Sequence, residues 1–249
     1  MVIVITGATS GIGEALAYSY ASLGITLHLC GRRSDLLEQV AESCRKKGAT
    51  VYTQVIDVSD RRAMTRWLHS LDEQTPVDMV IANAGVANGL RGRDYEPAEA
   101  VYDIFDINVT GLINTIMPLV PSMVRRQHGQ IAIMSSLAGF FPIPMTASYS
   151  ASKAAVRYWG IAIRGALAPH GIKVNVVCPG FVRSPMTDRN TFTMPLLMDM
   201  DKAIRLIQHG LKHNHAIVAF PFITAWMARL AGLIPARVMN LVHHRAQKR

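Results

Sequence analysis

A tyrosine and a lysine four residues apart, Tyr149 and Lys153, are the side chains in this 249-residue sequence whose types and spacing most directly suggest chemistry. Residues i and i+4 share one face of a helix, so both side chains would reach into the same space. An ammonium group beside a phenol stabilises the phenolate, which would lower the tyrosine pKa from about 10 toward neutrality. Ser136, at the end of an apolar run, could hydrogen bond to a reacting oxygen. The Tyr-x-x-x-Lys spacing alone is also compatible with a purely structural helix.

Three glycines, Gly7, Gly11 and Gly13, follow the first apolar run of the chain. Glycine permits a tight turn and a close approach by a ligand, and a helix beginning there presents free N–H groups to phosphate. The spacing Gly-x-x-x-Gly-x-Gly departs from the general Gly-x-Gly-x-x-Gly fingerprint. Its position between a strand and a helix nevertheless predicts a dinucleotide site, with a ligand-free tight turn as the alternative.

Two arginines, Arg32 and Arg33, follow the second apolar run, where an NAD site has an acidic residue that binds the ribose. Guanidinium groups suit a 2′-phosphate because they donate two parallel, charge-assisted hydrogen bonds. We therefore expect NADP(H) to be preferred over NAD(H). An exposed basic turn before a helix is the alternative interpretation.

Seven apolar runs alternate with amphipathic stretches, and most of the runs lack polar alternation, which indicates strands covered on both faces. The predicted strands are 2–6, 25–30, 51–56, 79–82, 130–134, 173–178 and 216–220. The predicted helices are 12–23, 35–47, 61–73, 98–123, 150–168 and 202–212. This order predicts an α/β fold, a single-domain, Rossmann-like doubly wound sheet of about seven parallel strands flanked by helices.

We expect residues 1–249 to form one Rossmann-type domain. Residues 1–185 would be the cofactor and catalytic core, 186–212 a substrate loop and helix, and 213–249 the last strand and an apolar, basic C-terminal extension. The chain carries +9 at neutral pH, and residues 201–249 contain eight Lys or Arg and one acidic residue. The stretch 216–249 could therefore contact an anionic membrane surface, close a substrate cleft or contact a partner subunit.

Composition excludes several classes of protein. Half of the residues are apolar and 17% are charged, which is typical of a globular chain with a large core. Three cysteines cannot form a disulfide framework and, like the histidines His213, His215, His243 and His244, lack the spacing of metal ligands. We recognise no signal peptide, no bilayer-spanning run and no nucleic-acid-binding module, which favours a cytoplasmic protein, with contact at the inner face of the membrane as a variant.

Together these features resemble the short-chain dehydrogenase/reductase family over residues 1–185. Thr6 to Gly13 matches the family's Thr-Gly-x-x-x-Gly-x-Gly motif, and Tyr149 to Lys153 matches its Tyr-x-x-x-Lys motif. Further matches are Asp57-Val58 after the third strand, Asn108 in Asn-Val-Thr-Gly, Ser136 thirteen residues before Tyr149, and Pro179-Gly180 after the sixth strand. In two departures, Ala82 replaces the first asparagine of the Asn-Asn-Ala-Gly motif, which could loosen that turn, and Ser184 replaces a frequent threonine.

The resemblance implies a set of site residues and no metal. The catalytic residues would be Ser136, Tyr149, Lys153 and Asn108. The cofactor-binding residues would be Gly7, Thr9, Ser10, Gly11, Ile12, Gly13, Arg32, Arg33, Asp57, Val58, Asn83, Ala84, Gly85, Tyr149, Lys153, Pro179, Gly180, Val182 and Ser184.

The implied reaction is hydride transfer between NADP(H) and a ketone, aldehyde or alcohol. Tyr149 would exchange the proton, Lys153 would hold the nicotinamide ribose and lower the tyrosine pKa, Ser136 would orient the carbonyl, and Asn108 would anchor a water relay. The substrate would be a small, apolar carbonyl compound, because the segments 89–95, 137–145 and 186–200 are rich in Phe and Met. Family members commonly form homodimers or homotetramers, and Tyr158 and Trp159 would lie at such an interface. The alternatives are an NAD-dependent sugar epimerase-like enzyme and a non-catalytic NADP-binding or membrane-associated protein.

Overall fold

A seven-stranded, fully parallel β-sheet forms the centre of the computed structural model, which describes residues 1–87, 95–189, 193–235 and 237–238. The strands are β1 (Val2–Thr6), β2 (Thr26–Gly31), β3 (Thr50–Val55), β4 (Met79–Ala82), β5 (Gly129–Met134), β6 (Ile172–Pro179) and β7 (Ile217–Phe220). Their order across the sheet is β3-β2-β1-β4-β5-β6-β7. The predicted Rossmann-like doubly wound sheet is therefore confirmed.

Helices cover both faces of this sheet. They are α1 (Gly11–Tyr20), α2 (Ser34–Arg45), α3 (Arg61–Gln74), α4 (Ala98–Phe105), α5 (Gly111–Ile116), α6 (Val120–Arg126), α7 (Ala147–Leu167), α8 (Met200–Lys212) and α9 (Phe222–Ala231). One hydrophobic cluster joins the sheet to α1, α2 and α8, and a second joins it to α3, α5, α6, α7 and α9. Ile3 and Ile5 belong to the first cluster and Val2 and Val4 to the second, because successive side chains of a strand point to opposite faces.

The strand order reverses at β1, which pairs with β2 on one side and with β4 on the other. In an open parallel sheet, a crevice forms at such a point, outside the carboxyl ends of the strands. The glycine turn after β1 and the turn after β4 both lie at this edge. The topology therefore brings together segments that are about 75 residues apart in sequence.

The prediction of a single α-helix over 98–123 is wrong. After α4, Asp106–Thr110 form a π-helical turn, α5 follows, and a turn at 117–119 separates α5 from α6. Pro118 lies in that turn and has no N–H to continue the helical ladder. The whole stretch Ala98–Arg126 is long and apolar enough to cross a bilayer, but Ile104, Leu112 and Ile116 are fully or almost fully buried within the protein. Its apolar character is that of a core element.

The C-terminal extension contains a helix, α9, that the sequence did not predict. Ala225 and Ala228 pack against the protein, and α9 contacts the 3₁₀ turn Leu137–Phe140 that follows β5. Its opposite side exposes large apolar side chains: Phe222, Ile223, Trp226, Met227 and Leu230 are each at least half exposed. Residues 239–249 lie outside the described part of the chain.

Candidate active site

The glycine turn after β1 is closed by the segment that follows β4. The side-chain amide of Asn83 donates to the carbonyls of Thr6 (3.1 Å) and Gly7 (3.2 Å). The backbone N–H groups of Asn83 and Ala84 donate to the Thr6 hydroxyl, at 3.2 and 3.3 Å. Ala82 is buried in the core, and the turn is held by Asn83 and Thr6. The role of Thr6 was not predicted, because a strand-end threonine carries no signal of its partner.

This turn fits the pyrophosphate of a dinucleotide. Gly7 and Gly11 have φ angles of +66° and +60°, which favour glycine. A Cβ on Gly7 would lie 2.8 Å from Ala84 Cα, and one on Gly13 would collide with the Gly7 carbonyl. Ser10 precedes α1 without a side-chain cap, so the first N–H groups of α1 point toward the turn with the positive end of the helix dipole. Ile12, by contrast, packs its side chain against the core.

The two arginines make different contacts. Arg33 reaches back over the glycine turn and donates to the hydroxyls of Thr9 (2.7 Å) and Ser10 (2.9 Å). Arg32 forms an ion pair with Asp57 at 3.2 Å. Arg33 thus joins the end of β2 to the predicted phosphate site, and both guanidinium groups are largely exposed to an incoming anion.

The Asp57-Val58 pair lies at the carboxyl end of β3. Burial raises the pKa of Asp57, but hydrogen bonds from Ser59 and Arg32 outweigh it and hold the pKa below its ordinary value. Asp57 is therefore a carboxylate at neutral pH. Val58 is buried, and its side chain packs so closely on Gly111 that a Cβ added there would lie only 2.5 Å away. Only the backbone of Val58 can therefore contact a ligand.

Tyr149 and Lys153 project together from α7, as the spacing predicted. The Lys153 ammonium lies 5.8 Å from the centre of the Tyr149 ring and donates to the carbonyl of Met134, at 3.0 Å. Lys153 is 4% exposed, whereas Tyr149 keeps part of its surface open. A long cationic side chain is therefore buried at the end of β5, immediately beside the tyrosine.

Burial dominates the protonation of both groups. It raises the pKa of Tyr149 above its ordinary value of 10.0, although a hydrogen bond with Ser136 opposes the shift. It lowers the pKa of Lys153 from 10.5 to about 8. The expected lowering of the tyrosine pKa by Lys153 is not seen in this structure, where burial raises that pKa. The tyrosine is therefore a neutral phenol at neutral pH.

The two serines after β5 have different partners. Ser135 is buried and donates to the carbonyl of Lys153, at 2.7 Å. Ser136 is partly exposed, accepts from the N–H of Ala138 (3.1 Å) and donates to the carbonyl of Pro179 (3.4 Å). Ser135 is therefore committed to holding α7, and the structure brings Ser136 beside Tyr149.

Asn108 is fully buried in the π-helical turn and faces the same site. Its side chain accepts from the N–H of Val86 (2.8 Å) and donates to the carbonyl of Val86 and the hydroxyl of Ser152, both at 3.0 Å. A Cβ on Gly85 would lie 3.1 Å from Asn108 Oδ1 and 3.2 Å from Lys153 Nζ, so both side chains border the space above this glycine. Ser152, which the sequence analysis did not select, also donates to the carbonyl of Tyr149.

The Pro179-Gly180 segment closes the other side of the site. The Gly180 N–H donates to the carbonyl of Phe220 (2.7 Å), and Val182 bridges to Met198. Ser184 lies against the glycine turn, with its Cβ 3.6 Å from the position of a Cβ on Gly11, and its N–H donates to the Thr187 hydroxyl. This segment therefore reaches across the crevice from β6 to the start of α1.

Of the three expected substrate-wall segments, one is described completely. Residues 88–94 and 190–192 lie outside the described part of the chain, which removes most of 89–95 and part of 186–200. Phe140, Phe141 and Ile143 of segment 137–145 line an apolar depression of about 320 Å³ together with Ala151 and Ala154 of α7. These alanines project from a different face of α7 than Tyr149 and Lys153. Part of this segment therefore packs beside α7 and not into the crevice.

Phe140 connects α9 to the site. Its ring lies between the guanidinium groups of Arg157 (4.3 Å to the ring centre) and Arg229 (5.3 Å). Arg157 belongs to α7 and Arg229 to α9, and a Cβ on Gly232 would collide with the Phe140 carbonyl. The C-terminal helix is thereby fixed against the turn that begins one residue after Ser136.

Among residues 1–87, 95–189, 193–235 and 237–238, no thiol or histidine takes part in this site. Cys30, Cys44 and Cys178 are buried free thiols, and burial raises the pKa of Cys178 to about 12, which keeps it protonated. His213 and His215 are exposed. Among the described residues, no group of three His, Cys, Asp or Glu side chains is arranged to hold a metal ion.

Comparison with known proteins identifies the class. The family model described as short chain dehydrogenase matches residues 1–194. The chain therefore belongs to the short-chain dehydrogenase/reductase family, and it is an NAD(P)-dependent oxidoreductase.

Similar proteins come from bacteria, fungi, plants and mammals. An uncharacterised oxidoreductase of Myxococcus xanthus is 37% identical, over 93% of this chain and 92% of the relative. A very-long-chain 3-oxoacyl-CoA reductase of Ajellomyces capsulatus is 30% identical, over 95% of this chain and 71% of the relative. A short-chain dehydrogenase from Sphingobium yanoikuyae, solved in complex with NADPH, superposes with a TM-score of 0.81 at 26% identity, covering 99% of this chain and 94% of that one.

The lowered lysine pKa predicts a pH-dependent cost in stability. The folded pKa is about 8 and the ordinary value is 10.5, so the charged Lys153 destabilises the fold below pH 8, and this cost disappears as pH rises from 8 to 10.5. We expect Lys153→Met to raise the free energy of unfolding at pH 7 by on the order of 1–3 kcal/mol, with a smaller gain at pH 10. Urea unfolding at both pH values measures this, with the exposed Lys173→Met as the control. A destabilised Lys153→Met protein at pH 7 would contradict the assignment.

Proposed function

We propose that the protein is an NADP(H)-dependent reductase that interconverts a ketone or aldehyde and an alcohol on an apolar substrate. The observation that carries the proposal is the grouping of Tyr149, Lys153 and Ser136 at the carboxyl edge of the sheet, at a site that the glycine turn also borders. Tyr149 is held as a phenol by burial, which is the protonation state that a carbonyl reductase needs. The division of the chain into a core at 1–185, a substrate segment at 186–212 and an extension at 213–249 is part of this proposal.

The side chains would divide the work between orientation and proton transfer. A bound nicotinamide supplies or accepts the hydride. Ser136 would orient the carbonyl oxygen, and Tyr149 would donate the proton that completes the alcohol. Lys153 would hold the ribose hydroxyls, and Asn108 would keep Val86 and Ser152 in place behind it. Asn108 would also anchor a water relay, although its side-chain amide already donates to the Val86 carbonyl and the Ser152 hydroxyl.

An apolar substrate is supported by the side chains near the crevice. Met186 and Leu196, in the segment that follows Ser184 across the crevice, expose large apolar side chains and offer no hydroxyl partners. The fungal relative, named as a very-long-chain 3-oxoacyl-CoA reductase, is consistent with a substrate that carries an alkyl chain. Each methylene buried against such a surface contributes about 0.8 kcal/mol, which corresponds to roughly fourfold in kcat/KM.

The direct test is NADPH oxidation by the purified protein with aldehydes and ketones of increasing chain length. We expect kcat/KM to rise several-fold per methylene until the cleft is filled. Tyr149→Phe should lower kcat on the order of a hundredfold or more while the Kd for NADPH changes less than about twofold, because the hydroxyl acts in proton transfer.

Other outcomes decide between the alternatives. A flat dependence on chain length would exclude the apolar substrate. NAD released on denaturation of the purified protein would favour the sugar epimerase-like enzyme. NADPH binding without turnover of any carbonyl would favour a non-catalytic NADP-binding protein.

The preference for NADP(H) rests on Arg33 and Arg32. Arg33 already contacts the hydroxyls of Thr9 and Ser10, and Arg32 is largely exposed beside Asp57. A 2′-phosphate bound between them would accept hydrogen bonds from both guanidinium groups.

We expect Arg33→Ala to raise the Kd for NADPH at least tenfold and to leave the Kd for NADH within about twofold, because NADH lacks the 2′-phosphate. Fluorescence titration measures both constants. Lys173→Gln, at the opposite edge of the sheet, removes the same charge without touching the site and serves as the control. Equal weakening of both cofactors would instead show that Arg33 supports the glycine turn through Thr9 and Ser10.

We further propose that stretch 216–249 makes a peripheral contact with an anionic membrane surface, at the inner face of the membrane of a cytoplasmic protein. The exposed side of α9 consists of large apolar side chains, and the only acidic residue in 201–249 is Asp201. Such a helix can lie in the lipid interface, held by apolar burial and by basic residues such as Arg237.

A second surface, formed by Tyr102 of α4 and Tyr158 of α7, would join two copies into a homodimer or homotetramer. Trp159 instead packs toward the core.

Vesicle cosedimentation tests the membrane contact. We expect wild type to bind vesicles that contain phosphatidylglycerol, more weakly at high salt, and the exposed-face variant Met227→Glu/Leu230→Glu to bind at least tenfold more weakly. Leu23→Glu, 89% exposed in the α1–β2 turn, is the matched control. Wild type that does not sediment with anionic vesicles would contradict the proposal. If the α9 variant instead dissociates an oligomer in lipid-free ultracentrifugation, α9 is a subunit contact.

A further inference from the structure

The helix that carries Tyr149 and Lys153 begins without a cap of its own. Thr146 precedes α7 and makes no side-chain hydrogen bond to it, and the first turn of α7 contains no acidic residue. The first N–H groups of a helix have no partner inside the helix and carry the positive end of its dipole. The start of α7 therefore needs an acceptor from elsewhere in the protein.

Glu96 supplies that acceptor from 52 residues earlier in the sequence. Its Oε2 accepts the backbone N–H of Ser148, at 2.9 Å, and its Oε1 accepts the Ser148 hydroxyl, also at 2.9 Å. Ser148 is 5% exposed, and Glu96 is half-buried. A carboxylate satisfies two donors of one residue at the positive end of α7, which makes both hydrogen bonds charge-assisted.

Glu96 is itself held in place by its position in the chain. It precedes Pro97, whose ring fixes the backbone, and α4 begins directly afterwards at Ala98. α4 packs along α7. The carboxylate is thus attached to a rigid element that lies beside the helix it caps.

The capped residue is the one that precedes the tyrosine. Ser148 and Tyr149 are consecutive in the first turn of α7, and the Tyr149 carbonyl in turn accepts from Ser152. On the basis of the proposed function, we propose that Glu96 is a positioning residue for the reaction: its carboxylate fixes the first turn of α7 and thereby holds the Tyr149 hydroxyl beside Ser136. Displacements of about 1 Å at a reacting group can cost a hundredfold in rate.

Substitutions at Glu96 and Ser148 test this assignment. We expect Glu96→Ala to lower kcat for carbonyl reduction at least tenfold, while KM for the carbonyl and Kd for NADPH change less than threefold. Glu96→Gln retains one acceptor and should recover part of the rate. Glu99→Ala removes an exposed carboxylate from the first turn of α4 and should leave kcat within twofold.

A double-mutant cycle separates this role from a general loss of stability. Ser148→Ala removes the hydroxyl bond and keeps the backbone bond, so alone it should cost several-fold in kcat, but in the Glu96→Ala background it should cost less than twofold. Hydrogen exchange of the peptide that contains 147–153 should accelerate at least tenfold in Glu96→Ala and remain unchanged in Glu99→Ala. A Glu96→Ala protein with faster exchange but a wild-type kcat would show a structural cap only and overturn the proposal. Unchanged exchange would overturn the cap itself.

A measurement that needs no turnover distinguishes failure of the Glu96 proposal from failure of the proposed function. The phenolate absorbance of Tyr149 is obtained by subtracting, from the absorbance of each variant, that of the same variant with Tyr149→Phe added. We expect Glu96→Ala to shift this titration toward the ordinary tyrosine value, because a loosened first turn admits water. If wild type reduces no carbonyl, the proposed function fails, and this titration still decides whether Glu96 positions the tyrosine: an unshifted titration overturns it.

Discussion

The burial of one ammonium group, that of Lys153, is the constraint around which the site is organised. A lysine that is 4% exposed must find hydrogen-bond acceptors and room inside the fold. The carbonyl of Met134 at the end of β5 provides an acceptor, and Gly85 leaves the space above the ammonium free of side-chain atoms. Ser135 fixes the Lys153 backbone from the same strand end. The carboxyl edge of the parallel sheet is where these groups can converge, because β4 and β5 end side by side there.

Burial also determines the direction of the pKa shift of the neighbouring tyrosine. Burial disfavours the charged form of each group, so the lysine pKa falls and the tyrosine pKa rises. Both pKa shifts are caused by burial. They leave a protonated tyrosine beside a lysine that loses its charge easily. Burial of the charged lysine therefore lowers the stability of the fold, as expected at a site where function and stability compete.

Much of the fold follows from the sequence, whereas several contacts of the site do not. Continuous apolar runs such as Val2–Thr6 identified the strands because both faces of a parallel sheet are buried. The glycine turn and the Tyr-x-x-x-Lys pair could be recognised in the sequence because their geometry is local. The turn at Pro118 was missed because apolar periodicity continues on both sides of it, and α9 was missed because its apolar residues face outward. The Glu96–Ser148 and Arg32–Asp57 contacts join distant parts of the chain, and no local pattern reveals them.

The central claim is that burial raises the pKa of Tyr149 above its ordinary value. The most direct measurement is a spectrophotometric titration of phenolate absorbance in the wild-type protein without cofactor, with the Tyr149→Phe protein subtracted. The structure predicts that the midpoint of the Tyr149 phenolate titration lies above the ordinary tyrosine pKa of 10.0. A phenolate that appears near pH 7 would contradict this account and would show that Lys153 controls the tyrosine through its charge.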